Sequence, residues 1–359
     1  MSPPDARLEP SGLVFEPQFV ERVWGGTKLK RFEKLLPTGQ LIGESWEISD
    51  VPGKPSRVAR SNSGAQTLRD LMRTHASDLL GTSRVVNGHL DRGPQFPLLI
   101  KLLDAREDLS VQVHPSDRDL RRSGLEFRGK TEAWILLDCE PGARIVHGLA
   151  SGVRRQDLIE RIRLLKGAAL PPAEEEDLFN WVHVERGQFV FVPAGTVHAV
   201  GKGILLLEVQ QTSDITYRLY DWGRLGQDGK PRDLHLSEAQ SVSDAPTVSN
   251  PFPLIDDVRE TTGFTPLLAS SDCDKFQIEV ASLGPETPNG PILNTSTCSS
   301  YGAGFHILSP FDGESVVSTA AGDPIRLKPG HFVLVPAISE GYTISASTRT
   351  RILRFSCPT

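Results

Sequence analysis

The sequence predicts a mainly β protein of two similar β-barrels with short helical insertions, and three observations predict it. Gly (32) and Pro (27) make up about a sixth of the 359 residues, against a usual share of about 12%. Short apolar runs bounded by Gly, Pro, Asp or Ser recur along the chain, as strands between turns do. The run Gly187-Gln-Phe-Val-Phe-Val-Pro193-Ala194 is echoed at Gly330-His-Phe-Val-Leu-Val-Pro336-Ala337. In both, a Gly turn leads into alternating side chains that end at Pro-Ala, which two like barrels in one chain explain.

In chain order, residues 1–12 read as a flexible polar leader, without the apolar segment of a secretory signal. A first domain is expected over 13–245. Its strands are the runs Leu98–Leu103, Ser110–His114, Ala133–Leu137, Phe189–Val192 and Ile204–Val209, each rich in branched or aromatic residues. Two segments depart from this pattern. Leu68, Leu71, Met72, Leu79 and Leu80 follow helical spacing behind Thr67 as N-cap, so a helix is expected near 67–80. Leu158, Ile159, Ile162 and Leu165 do the same within 151–166. The stretch Pro171 to Asp177, with three consecutive Glu, reads as a solvated connector. A boundary falls in the polar stretch Ser243 to Thr262, leaving 246–359 as a second barrel.

Composition excludes several classes. A net charge of −6 argues against nucleic acid or an acidic membrane surface as partner. No run approaches the roughly 18 apolar residues of a membrane-spanning helix. Cys139, Cys273, Cys298 and Cys357 are scattered without a CxxC pair, as reduced thiols of a cytoplasmic protein are.

Nine histidines are present, and two sit in suggestive settings. Gln112 and His114 alternate with Val111 and Val113, so on a strand both project to one face. Glu132 opens an apolar run, and His198 follows Pro193-Ala-Gly195-Thr-Val. Around a point they would gather two imidazoles, one carboxylate and one amide oxygen, and two His with one carboxylate leave an open coordination position. Such a set suits a catalytic zinc or another borderline divalent ion. A single histidine beside apolar residues is more often structural, and His75, His89, His147, His183, His235, His306 and His331 are read that way. Gly124-Leu-Glu-Phe-Arg-Gly129-Lys130-Thr131 fits the phosphate-loop pattern, but no apolar strand precedes it and a short strand, not a helix, follows.

The spacing Gly187-x5-Pro193-x-Gly195-x2-His198 resembles the second motif of the cupin superfamily, whose members are jelly-roll β-barrels. Here Lys202 stands where an Asn is usual, Gln112 where a His is common, and Glu132 lies 18 residues beyond His114. These departures match one cupin family. Trp24-Gly25-Gly26, Gly43-Glu44-Ser45-Trp46-Glu47-Ile48-Ser49, Leu109 to Pro115, Gly129-Lys130-Thr131-Glu132-Ala133-Trp134, Pro193 to Ala199 and Ser213-Asp214-Ile215-Thr216-Tyr217-Arg218 together resemble the bacterial short form of type I mannose-6-phosphate isomerase. The resemblance runs from about residue 13 to 240.

That resemblance implies an aldose–ketose isomerase acting on a sugar phosphate through an enediol, with one zinc per chain on Gln112, His114, Glu132 and His198. It also implies a catalytic Arg218, with Glu208 as the nearby acidic residue. The base that moves the proton stays open between Glu208 and a water on the metal. Lys130, Arg224 and the Ser110 hydroxyl fall in the motif segments and are expected around the phosphate. Trp24 and Glu44 are expected to shape or brace the pocket. In the second barrel, Ile338 replaces the motif's Gly195 and Gly341 stands at the place of His198, so no metal is expected there. Alternatives are a non-catalytic sugar-binding cupin and an iron-dependent oxygenase. The sequence leaves the oligomeric state open.

Overall fold

The computed structural model describes residues 7–59, 66–81, 93–125, 128–226, 228–245, 252–258, 261–288, 290–295, 304–339 and 341–358. His89, Cys298, residues 1–6 of the expected leader and parts of the expected boundary stretch lie outside these. The chain divides into two compact units, one of Phe19–Trp46 and Ile100–Leu254, the other of Met1–Gln18, Glu47–Leu99 and Ile255–Thr359.

The elements up to residue 254 are β1 (Gln18–Gly26), β2 (Ile42–Ile48), β3 (Asp50–Val51), β4 (Lys54–Pro55), α1 (Leu68–Leu80), β5 (Leu98–Ala105), β6 (Val111–Val113), α2 (Asp117–Arg122), β7 (Glu132–Cys139), β8 (Arg144–Leu149), α3 (Arg155–Leu165), α4 (Pro172–Leu178), β9 (Phe179–His183), β10 (Phe189–Val192), β11 (His198–Val200), β12 (Ile204–Gln211), β13 (Tyr217–Tyr220) and α5 (Leu236–Ser241). The five expected strands are β5, β6, β7, β10 and β12. The segment after Lys130 is the strand β7, so the phosphate-loop pattern has no helix behind it.

Two sheets carry the first unit, in the orders β1-β2-β5-β12-β7-β10 and β13-β6-β11-β8-β9. They pack face to face. Leu103, Trp134, Leu136, Val190, Val192 and Leu206 of the first sheet share one core with Ile145 and Val200 of the second. The outer face of the second sheet is covered by α3 and α5, whose Leu158, Ile159, Ile162 and Ala239 pack with Val111, Val113, Val146 and Ala199. Alternation along each strand therefore sends Gln112, His147 and His198 inward while their neighbours face the helices.

Among the described residues neither sheet closes on itself: one runs between edge strands β1 and β10 and the other between β13 and β9. At one edge His147 Nε2 donates to the Phe191 carbonyl at 3.0 Å.

The second unit adds β14 (Thr265–Leu268), β15 (Gln277–Leu283), β16 (Ile292–Thr295), β17 (His306–Asp312), β18 (Ser315–Thr319), β19 (Ile325–Leu327), β20 (Val333–Val335), β21 (Tyr342–Ser345) and β22 (Thr350–Ser356). Its sheets run β14-β15-β22-β17-β20 and β16-β21-β18-β19, again around a shared core of Leu283, Val317, Leu327, Val333, Ile344 and Ile352. The echoed segments become β10 and β20, each the edge strand of its sheet.

Helix α1 belongs to this second unit, not to the first as the sequence order suggested. Thr67 caps it with a reciprocal Asp70 contact. Its C-terminal carbonyls of Leu79 and Asp78 accept the N–H groups of Ala337 and Ile338 at 2.9 and 2.8 Å, which satisfies groups a helix end otherwise leaves orphaned. Residues 7–12 are not a loose leader either. The Leu8 N–H donates to Asp78 Oδ2 at 3.0 Å, and Ser339 Oγ donates to the Pro10 carbonyl at 3.2 Å.

Candidate metal centre

Sheet register brings the candidate ligands together. Gln112 of β6 lies opposite His198 of β11 and opposite Arg218 of β13 on its other side. The turn before His198 is tied to His114, whose carbonyl accepts the Gly195 N–H at 2.8 Å. Gly195 has φ of +95°, and a Cβ there would lie 2.3 Å from the Ser243 carbonyl oxygen, so this turn requires glycine. From the facing sheet, Glu132 at the start of β7 completes the group. Ligand atoms of His114, Glu132 and His198 all lie within 4.8 Å of one another, and all three residues are buried.

These residues fit a divalent ion. His198 Nδ1 donates to the Thr196 carbonyl at 2.9 Å, which leaves Nε2 with its lone pair, 3.3 Å from Glu132 Oε1. His114 Nε2 is 3.5 Å from Glu132 Oε2. Bonds of about 2.1 Å to zinc place tetrahedral donors about 3.4 Å apart, so both separations suit one ion between the groups. Buried His114 Nδ1 has no hydrogen-bond partner. Gln112 Nε2 is 3.3 Å from His198 Nε2, so its amide adjoins the group. Among the described residues no other gathering of three such side chains occurs.

A row of alternating charges runs from this centre across the inner face of the six-stranded sheet. Lys130 Nζ lies 2.5 Å from Glu132 Oε2, 3.0 Å from His114 Nε2 and 3.9 Å from Glu208 Oε1. Lys101 Nζ is 3.4 Å from Glu208 Oε1 and 3.8 Å from Glu44 Oε2, and sits over the Trp46 ring at 4.9 Å. Glu44 also accepts from Trp46 Nε1 at 2.6 Å and from Arg22 Nε at 2.7 Å. Glu44, Lys101, Lys130, Glu132 and Glu208 are all buried, and the alternation is what makes such burial tolerable.

The row sets the protonation of its members. Burial pushes Glu44 up, but Lys101, Arg22 and Trp46 outweigh it and bring the carboxyl down to about 2. Burial likewise opposes the charge on Glu132, yet Lys130, His114 and His198 hold it well below the usual carboxylate range. For Glu208, burial dominates and raises the carboxyl despite Lys130 and Lys101, with Glu132 and Glu44 adding to the rise. Burial and then Lys130 keep His114 neutral far below its ordinary value, the form a metal ligand needs.

The structure thus collects Gln112, His114, Glu132 and His198, and turns Glu208 inward next to them. Lys130, expected around the phosphate, is buried beside the Glu132 carboxylate. Arg218 is half-buried, with Nη1 donating to the Asp233 carbonyl at 2.7 Å and a buried Nε that has no partner. Ser110 is buried just ahead of β6. Arg224 stands near it, its Nε donating to Asp221 Oδ1 at 2.9 Å and its Nη1 to the Asp108 carbonyl. Trp24 is part of the packed core, and Glu44 is the brace between Arg22 and Lys101. Sequence reasoning missed Lys101 and Arg22. A lone lysine inside Leu98–Leu103 was the available signal, because an ammonium in an all-apolar strand must find buried carboxylates.

A model of the type I phosphomannose isomerase catalytic domain matches residues 13–125. Mannose-6-phosphate isomerase ManA of Bacillus subtilis is 40% identical over 238 residues, covering 66% of this chain and 69% of that protein. The mannose-6-phosphate isomerase of Streptococcus mutans is 36% identical over 231 residues, covering 64% of this chain and 67% of that protein. The crystal structure of the Bacillus subtilis mannose 6-phosphate isomerase aligns with a TM-score of 0.76 at 31% identity, covering 96% of this chain and 99% of that one. The apo enzyme of Salmonella typhimurium shares the fold, with a TM-score of 0.68 at 17% identity over 97% of this chain and 100% of that one. On these grounds the chain belongs to the type I mannose-6-phosphate isomerase family.

Proposed function

We propose that this protein interconverts D-mannose 6-phosphate and D-fructose 6-phosphate. The observation that carries the reading is the buried group of His114, Glu132 and His198, with Gln112 beside it, in a chain of this family. The four side chains would hold one zinc ion per chain. A divalent cation there supplies Lewis acidity to the sugar's oxygens, where negative charge gathers as the carbonyl moves between C1 and C2.

The chain's own residues do the rest. Glu208 takes the proton from C2 and returns it to C1 through an enediol, with the hydroxyl proton passing likewise from O2 to O1 as the carbonyl moves from C1 to C2. Burial raises its carboxyl, which brings it nearer the operating pH that a proton carrier needs. Lys101 and Lys130 flank it and keep its charged form accessible. Arg218, in register with Gln112, places a fixed positive charge at the enediol in a water-poor setting, where such a charge counts most. Ser110, just ahead of β6, and Arg224, which reaches the Asp108 carbonyl, receive the phosphate. The two-histidine, one-carboxylate set alone also suits iron; the row of cations and the family favour the sugar phosphate. The thiols Cys139 and Cys273, which form no disulfide, suit a reducing cytoplasm. No described helix is long and apolar enough to cross a membrane.

The test is an assay of mannose 6-phosphate conversion before and after chelation. Turnover that chelator abolishes and zinc restores is the expected result. Turnover indifferent to chelator rejects the metal's part, and no turnover with metal loaded rejects the isomerase reading.

A further inference from the structure

Arg22 lies in β1, outside every motif that pointed to the site, yet it is built into the charged row. Its stem crosses β2 at Gly43. A Cβ on Gly43 would lie 2.6 Å from Arg22 Cβ, 2.7 Å from its Cγ and 2.7 Å from Trp24 Cζ3, closer than side-chain carbons tolerate. Only glycine leaves this lane open. The guanidinium then reaches Glu44 through Nε at 2.7 Å, with a third of the side chain still exposed (32%).

Glu44 thereby has three claimants. Arg22 and the Trp46 indole hold its two oxygens at 2.7 and 2.6 Å, while Lys101 stands off at 3.8 Å. The same ammonium lies nearer to Glu208, at 3.4 Å. A buried ammonium is drawn to whichever carboxylate is less neutralised, and the nearer cation on Glu44 is Arg22, at 2.7 Å against 3.8 Å for Lys101. We propose that Arg22 is a positioning residue: by occupying Glu44 it turns the Lys101 ammonium toward Glu208, the group that carries the substrate's proton. The inference rests on the isomerase reading above. Without Arg22, Glu44 draws Lys101 back, and Glu208 loses the closer of its two cations.

The test is steady-state kinetics of zinc-loaded wild type, Arg22→Gln, Arg22→Lys, Glu44→Gln and the Arg22→Gln/Glu44→Gln double variant, with mannose 6-phosphate as substrate. R22Q is expected to lose about tenfold in kcat, part of the 10²–10⁴ that a positioned acid–base group contributes, with KM within about twofold. R22K, which keeps a cation for Glu44, recovers most of the loss. Because Arg22 acts through Glu44, the double variant should match E44Q alone, not fall by the product of the two effects. Losses that multiply, a rise in KM at unchanged kcat, or R22K no better than R22Q each overturn the proposal. Should R22Q not fold, E44Q added to R22K should leave kcat unchanged, because it removes the carboxylate that draws on Lys101, and a further loss on adding it overturns the proposal equally. A wild type that turns over with all Arg22 variants equally active sinks this inference alone, whereas an inactive zinc-loaded wild type sinks the functional reading beneath it.

Discussion

Glu44 offers the sharpest thermodynamic test of the buried row. Its carboxyl falls from an ordinary 4.5 to about 2, and a shift of that size corresponds to about 3 kcal/mol of folding stability. The sign follows from the direction. A carboxylate with a depressed value stabilises the fold fully above its unfolded value, near 4.5, and the contribution is lost as pH falls toward 2. Glu44→Gln should therefore unfold about 3 kcal/mol more easily than wild type at pH 6, and the gap should shrink by about 1.4 kcal/mol per pH unit below 4.5, to about 1 kcal/mol at pH 3. Urea unfolding followed by tryptophan fluorescence is the assay, with chelator in both samples. All five tryptophans, Trp24, Trp46, Trp134, Trp181 and Trp222, lie in the unit that holds Glu44, so the signal reports that unit. Carboxyls outside the charged row titrate alike in both proteins and cancel. A gap that stays constant from pH 6 to pH 3 would refute the reasoning, because Glu44 would then stabilise by packing and not by charge.

Arg218→Ala should retain its metal and lose about 10²-fold in kcat, the scale seen when one preorganised donor is removed; a change mainly in KM would make Arg218 a binding residue. Glu208→Gln should lose most of kcat while keeping the metal. In wild type, Glu208's raised carboxyl predicts that kcat/KM falls as pH drops through a value above the usual 4.5, since protonation removes the base; the pH profile of wild type should carry this acidic limb, and the residual activity of the variant should lack it.

Much of this was legible in the residues. Leu98–Leu103 or Phe189–Val192 can only be strands, being short, branched and bounded by turn residues. The residues of the candidate centre were legible because a period of two sets Gln112 beside His114, and because His198 follows a motif whose glycine the turn demands. What stayed hidden depends on pairing across space. Which strands become the edges of each sheet is a matter of such pairing, and no local pattern encodes it. The allegiance of α1 rests on two carbonyls accepting Ala337 and Ile338. The contact of Lys130 with the Glu132 carboxylate, two residues on, was likewise not read from the sequence. Arg22 has no signal beyond the glycine opposite it.

The central claim is that Gln112, His114, Glu132 and His198 hold one divalent cation. Elemental analysis of protein purified without added ions and passed through gel filtration tests it most directly, with His198→Ala treated identically. Close to one metal per wild-type chain and almost none in the variant is the result this account predicts. Equal metal in both, or none in an active wild type, would contradict it.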